Sequence, residues 1–212
     1  MTAGRPAVPL AERLPALGPP LYEAMLRALA PHASYPPDFT SWRCCYEGGD
    51  EESWGRMREQ VLPEALDVSY CLLRMAYLTR AWELLQGARS WQDAEAALFL
   101  VKSVALGVRT RVMADASATR GEAAAPTPAA AAVARDRAES RALLLAVFGQ
   151  LCGSGEAMAR WVGGPAALAR GAASLVDAFS PWFAKDPDAP LSGALQLLVL
   201  ALGVPEVRVS AV

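Results

Sequence analysis

A chain of 212 residues, 53% hydrophobic and with a formal net charge of -2, is long enough for a sizeable core. It carries no basic field to draw nucleic-acid phosphates, consistent with a sequence pI near 5.5. Alanine and leucine dominate the apolar fraction while β-branched and aromatic runs are sparse, which argues for stacked helices and against sheets.

The amino terminus, residues 1–18, is broken by prolines and lacks the apolar core of a secretory signal, so it reads as a poorly ordered lead-in. Helical segments occupy 19–108. The first is Leu21 to Ala30, ended by a crossing in which Pro31, Pro36 and Pro37 forbid continuation. An acidic stretch with Glu47, Asp50, Glu51 and Glu52 precedes a long helix from Trp54 to about Leu73, with a kink or break expected at Pro63. Met75 to Gln86 forms the next helix, with Leu78, Trp82 and Leu85 on one face and Gly87 as the turn.

The segment Ser90 to Ala105, SWQDAEAALFLVKSVA, holds the sharpest local signal. Ser90 is placed to cap the helix, and Asp93 three residues on completes a capping box. Asp93 and Glu95 put negative charge at the positive end of the helix dipole. Ala94, Ala97, Leu98, Val101, Val104 and Ala105 recur at helical spacing, and Phe99 and Leu100 widen the stripe, so this helix is expected between neighbours.

Residues 109–137 are low in complexity and read as a disordered insertion. Helices resume over 138–212, at Glu139 to Leu151, Pro165 to Phe179 and Pro190 to Leu202, with Pro165 and Pro190 at first-turn positions. The uncharged stretch from Ala189 to Pro205 carries Pro190, Ser192 and Gly203 and is read as a buried helix, not a membrane span. Antiparallel helix pairs with short turns describe an all-α superhelix of HEAT type, with a compact bundle as the other architecture that fits.

Chemistry-bearing motifs are missing from the sequence. There is no Gly-rich phosphate loop, H-E-x-x-H, G-x-S-x-G or D-D-x-x-D, so no catalytic residue, cofactor or metal is assigned. Cys44, Cys45, Cys71 and Cys152 lack C-x-x-C spacing, and the single histidine, His32, cannot furnish a mixed site. They read as reduced thiols of an intracellular protein. The acidic cluster reads as a solvated helix start, and the tryptophans Trp42, Trp54, Trp82, Trp91, Trp161 and Trp182 as filling space between helices.

Three blocks in order carry a family likeness. SWQDAEAALFLVKSVA, through Trp91, Glu95, Ala96, Leu98 and Ala105, resembles a segment of the transportin-SR branch of the karyopherin-β nuclear transport receptors, the branch of importin-13 and transportin-3. Upstream, WGRMREQVLPEALDVSYCLL resembles the preceding long helix, with Arg56 and Arg58 set against an aliphatic stripe. Downstream, the segment from Ser180 to Val212 resembles a HEAT pair and the start of another helix, through Trp182, Asp186, Pro187, Leu191, Leu202, Pro205, Ser210 and Ala211.

The resemblance covers the middle of a much longer receptor, so a fragment or degenerate copy is expected; the insertion and Pro63 depart from the pattern. It implies binding of protein cargo for RanGTP-regulated passage through nuclear pores, with RanGTP and nuclear-pore proteins as partners of the full-length parent and residence in nucleus and cytoplasm. Direct nucleic-acid or membrane binding is not expected. By the same resemblance, Leu21 to Ala30, Met75 to Gln86, Glu139 to Leu151 and Pro190 to Leu202 are the cargo-facing helices, with no individual contact residue assigned. A helical-repeat scaffold unrelated to transport is the alternative.

Overall fold

The computed structural model describes residues 10–39, 49–114 and 127–208, and these are all-helical with no strand. Helix α1 spans Leu10–Ala33. It starts well before the expected Leu21, so part of the anticipated lead-in is helical, while residues 1–9 lie outside the described residues. It also runs through Pro31, because a proline near a helix end removes a single amide donor and leaves the other bonds of the last turn intact.

Helix α2, Gly49–Arg56, passes into a π-helical turn, Met57–Val61, and then α3, Leu62–Leu73. The break expected at Pro63 takes this form. Pro63 sits in the first turn of α3, and just before it the wide turn closes with the Leu62 amide donating to the Met57 carbonyl.

Between α3 and α4, Met75–Gln86, stands Arg74 with φ 52° and ψ −117°. Among the described residues it is the only non-glycine with positive φ. Helix α5, Trp91–Ser103, begins as the sequence predicts: the Asp93 amide donates to the Ser90 hydroxyl at 3.1 Å, and the Ser90 amide donates to the Asp93 carboxylate at 3.1 Å. Helix α6, Ala105–Met113, follows after Val104.

Helix α7 spans Pro128–Cys152, capped by the Thr127 hydroxyl, which accepts from the Ala130 amide at 3.2 Å. Residues 109–113 and 128–137 of the expected insertion, 109–137, are therefore helical. Both its flanks are helical, because the alanine-rich run after Pro128 has high helix propensity and a cap to start it. Residues 115–126 lie outside the described residues.

Helix α8, Gly155–Val162, has no counterpart among the predicted elements; Ser154 caps it by accepting from the Ala157 amide at 3.1 Å. Then come α9, Ala166–Ala178, α10, Ser180–Phe183, α11, Leu191–Ala201, and α12, Pro205–Arg208. Pro165 and Pro190 are the N-caps of α9 and α11, one residue before the expected first-turn positions.

Two runs of packed helices stand out among the described residues. In one, α3 packs on α5, α5 on α9 and α9 on α12; in the other, α4 packs on α7 and α7 on α11. Helix α1 lies against α3 and α5, and α4 lies against α5. One core joins most of them, with Leu66, Leu78, Leu98, Val104 and Leu144 fully enclosed, and a small second cluster of Ala169, Ala201 and Val207 holds α12. At its far end Phe148 meets Phe179, Trp182 and Phe183 at centroid distances of 5.4, 5.5 and 4.7 Å.

Candidate protein-binding surfaces

Charged pairs link helices distant in sequence, among them Arg111 of α6 with Asp136 of α7; two form larger junctions. The first is built on Arg58, which the π turn directs inward and which is 5% exposed. Its Nε donates to the Ala33 carbonyl at 2.8 Å, its Nη1 to the Tyr35 hydroxyl at 3.1 Å, and its Nη2 to the Glu95 carboxylate. The guanidinium carbon lies 4.5 Å from the Tyr35 ring centroid and 4.2 Å from that of Phe99. Every face of a buried charge is thus engaged, which is the condition for tolerating it.

Glu95 is 3% exposed, so the expectation that it serves the dipole at the helix start is corrected. It falls one turn from Trp91 and one from Phe99, on the inward face of α5, where Arg58 meets it. Burial holds its carboxyl above the ordinary glutamate range, against the pull of Arg58. Burial and the neighbouring Glu95 charge push the Tyr35 hydroxyl up to about 12, keeping it a neutral acceptor for Arg58. Gly171 of α9 closes the site: a Cβ there would lie 3.0 Å from Glu95 Cγ, so its lack of a side chain lets α9 approach.

The second junction joins α7 to the segment between α10 and α11. Arg141 donates to both oxygens of Asp186, at 2.5 and 2.6 Å, and to Asp188 at 2.5 Å. Trp182 Nε1 also donates to Asp186 at 3.0 Å. Arg141 holds the Asp186 carboxyl below the ordinary aspartate range.

The four segments named as cargo-facing fall on α1, α4, α7 and α11, and of these α4 packs on α7 and α7 on α11. Between α1 and α4 lies a cleft of about 510 Å³. Helix α5 supplies its floor through Ala96, Ala97 and Leu100, while Leu26 and Ala30 line one wall and Leu84 and Gly87 the other. Arg27, Arg80, Glu83 and Asp93 stand around it.

Helix α11 corrects another expectation. Only Ala194, Leu197 and Ala201 of this helix are buried, whereas Leu191, Leu195, Val199 and Leu200 are exposed, Val199 by 70%. Sequence periodicity could not tell one buried face from two, because Leu and Val occupy both. No single described helix is long and apolar enough to cross a membrane.

Among the tryptophans, Trp161 and Trp182 are buried, Trp54, Trp82 and Trp91 are half-buried, and Trp42 lies outside the described residues. So do Cys44, Cys45 and Glu47, while Asp50, Glu51 and Glu52 fall in the first turn of α2. Cys71 is exposed, Cys152 is buried, and its thiol is pushed up to about 11 by burial. His32 is exposed at the end of α1. The described residues hold no cluster of three or more potential metal ligands. Protein-family models, curated proteins and solved structures yield no match to the chain.

Proposed function

We propose that the chain is a HEAT-like helical-repeat segment of a karyopherin-β-type nuclear transport receptor, binding protein cargo on the α1, α4, α7 and α11 side. Its work is binding, not catalysis. The observation that carries this reading is a pairing: Arg58 from one block of the resemblance and Glu95 from the next are partners in a buried junction. Within the third block, Trp182 and Asp186 are likewise hydrogen-bonded. Residues singled out by likeness to one family in the first two blocks meet in space, and packed runs of antiparallel helices suit a superhelix.

The test is nuclear import in permeabilised cells, using the chain fused to an inert carrier too large for passive diffusion. Accumulation at the nuclear rim, with binding of a defined cargo that RanGTP reverses in the full-length parent, is the expected result. No rim accumulation over the carrier alone overturns it. The second reading, an assembly scaffold outside transport, draws on the uncharged apolar face of α11, which suits a constitutive partner. A partner bound stably without rim accumulation would be its signature.

A further inference from the structure

Helix α11 turns Ala194, Leu197 and Ala201 to the core and a second stripe, Leu191, Leu195 and Val199, to the outside, each of these between 44% and 70% exposed. Half-exposed Leu202 continues the stripe beyond the last turn. Steps of four, four and three residues keep these side chains on one flank of the helix. We propose that this flank is a self-contact, on which a second copy of the chain lays its own α11 antiparallel across a two-fold axis. The inference does not rest on the transport reading, and it leaves α1, α4 and α7 open to cargo.

Charge narrows the occupant first. The chain carries no charged residue from Ala189 to Pro205, so two copies of this surface meet without the like-charge repulsion that opposes many isologous contacts. Beside the stripe stand Ser192 and Gln196, both exposed and neutral. The same composition suits a lipid surface poorly, because an interfacial helix relies on lysines and arginines along its polar face, and 11 residues are too few to span a bilayer. A charged partner finds nothing on this flank to pair with.

Area narrows it further. The stripe offers on the order of 400 Å² of apolar surface, so pairing it with its own copy withdraws about 800 Å² from these side chains alone, and the surrounding rim brings the contact to the ~1,000 Å² at which specific association begins. The rival is another exposed apolar flank, Val61 of the π turn with Val68 and Leu72 of α3. It is smaller, with valine at two of its three places, and Glu64 and Asp67 stand exposed on the same turns. Stacking α11 on that flank would bury less and build an open row of copies, whereas α11 on α11 closes as a dimer.

Orientation follows from the helix itself. Antiparallel pairing sets the positive amino-terminal end of each α11 beside the negative carboxy-terminal end of the other, whereas parallel pairing sets like ends together. The middle of the stripe, Leu195 and Val199, then lies nearest the axis.

Sedimentation equilibrium on the whole chain tests this. A monomer–dimer equilibrium is expected, with a dissociation constant of about 1–100 μM and little change between low and high salt, since no charge takes part. Leu195→Glu with Val199→Glu brings carboxylates of both copies to the axis and should weaken dimerisation at least ~10-fold, while Val61→Glu with Val68→Glu should leave it unmoved. All four positions are exposed, and circular dichroism checks that each variant keeps its helices. A chain that stays monomeric up to ~200 μM, a dimer indifferent to the α11 variant, equal weakening by the Val61 and Val68 variant, or growth beyond two copies overturns the proposal.

Discussion

The junctions at Arg58 and Arg141 use the same chemistry in opposite settings. Side chains of the Arg58–Glu95 pair are 6% and 4% exposed, while Arg141 is 35% exposed and Asp186 9%. In the first, the cost of desolvation dominates and the carboxyl is pushed up; in the second, the arginine dominates and the carboxyl is pulled down. A buried pair must be complete, with each remaining polar atom satisfied, whereas a half-exposed pair can lose a member and be rescued by water.

The largest effect follows from breaking the buried pair. Arg58→Ala leaves Glu95 buried without its cation, and urea denaturation should show a loss of about 3–5 kcal/mol. Replacing both members, as Arg58→Met with Glu95→Leu, should recover most of that loss, since an apolar pair carries no desolvation cost. A double variant as unstable as the single one would mean that the ion pair itself, and not completeness, holds the site.

At the exposed junction the same operation is milder. Arg141→Ala should cost about 1–2 kcal/mol, because Asp186 keeps the Trp182 indole and the Asp188 amide as donors while water reaches the vacated side. A loss equal to that of Arg58→Ala would erase the distinction drawn between the two settings.

The two carboxylates should also pull the acid limb of stability in opposite directions. Asp186 ionises more readily folded than unfolded, so its contribution is present above the ordinary aspartate range and is lost as pH falls through its folded value. Glu95 does the reverse: the folded state holds its proton more tightly, so its contribution is full below the ordinary glutamate range and fades as pH rises. As pH is lowered through the ordinary carboxylate range and below it, Asp186→Asn should flatten the fall in stability and Glu95→Gln should steepen it. Urea midpoints across that interval provide the measurement; parallel curves for both variants would contradict the assignment.

These junctions also mark how far the sequence was legible. The capping box at Ser90, the break near Pro63 and the turn at Gly87 rest on local chemistry, and the structure bears out each. Arg58 and Glu95 needed more. Each is a charged residue within an amphipathic pattern, and local rules send charges to solvent. The aromatic residues one turn to either side of Glu95 were the available hint that it faces inward. Its partner lies 37 positions away in the sequence, a pairing that only the packed helices reveal. The cleft was equally hidden, because alanines that line a gap and alanines that close one look alike in a sequence.

The smallest effect sharpens the comparison from the backbone side. Arg74 stands at the end of α3 with φ 52° and ψ −117°, a conformation suited to glycine. Its side chain returns a hydrogen bond to Tyr70 and a guanidinium 5.4 Å from that ring's centroid, near the outer limit for a cation over an aromatic face. Glycine removes the steric strain but enlarges the freedom of the unfolded chain, which offsets part of the gain. Arg74→Gly should therefore stabilise by about 0.5–1 kcal/mol in thermal or urea unfolding. Destabilisation of similar size would mean that this arginine, like Arg58, holds its helices through its side chain and that the strained backbone is tolerated for that contact.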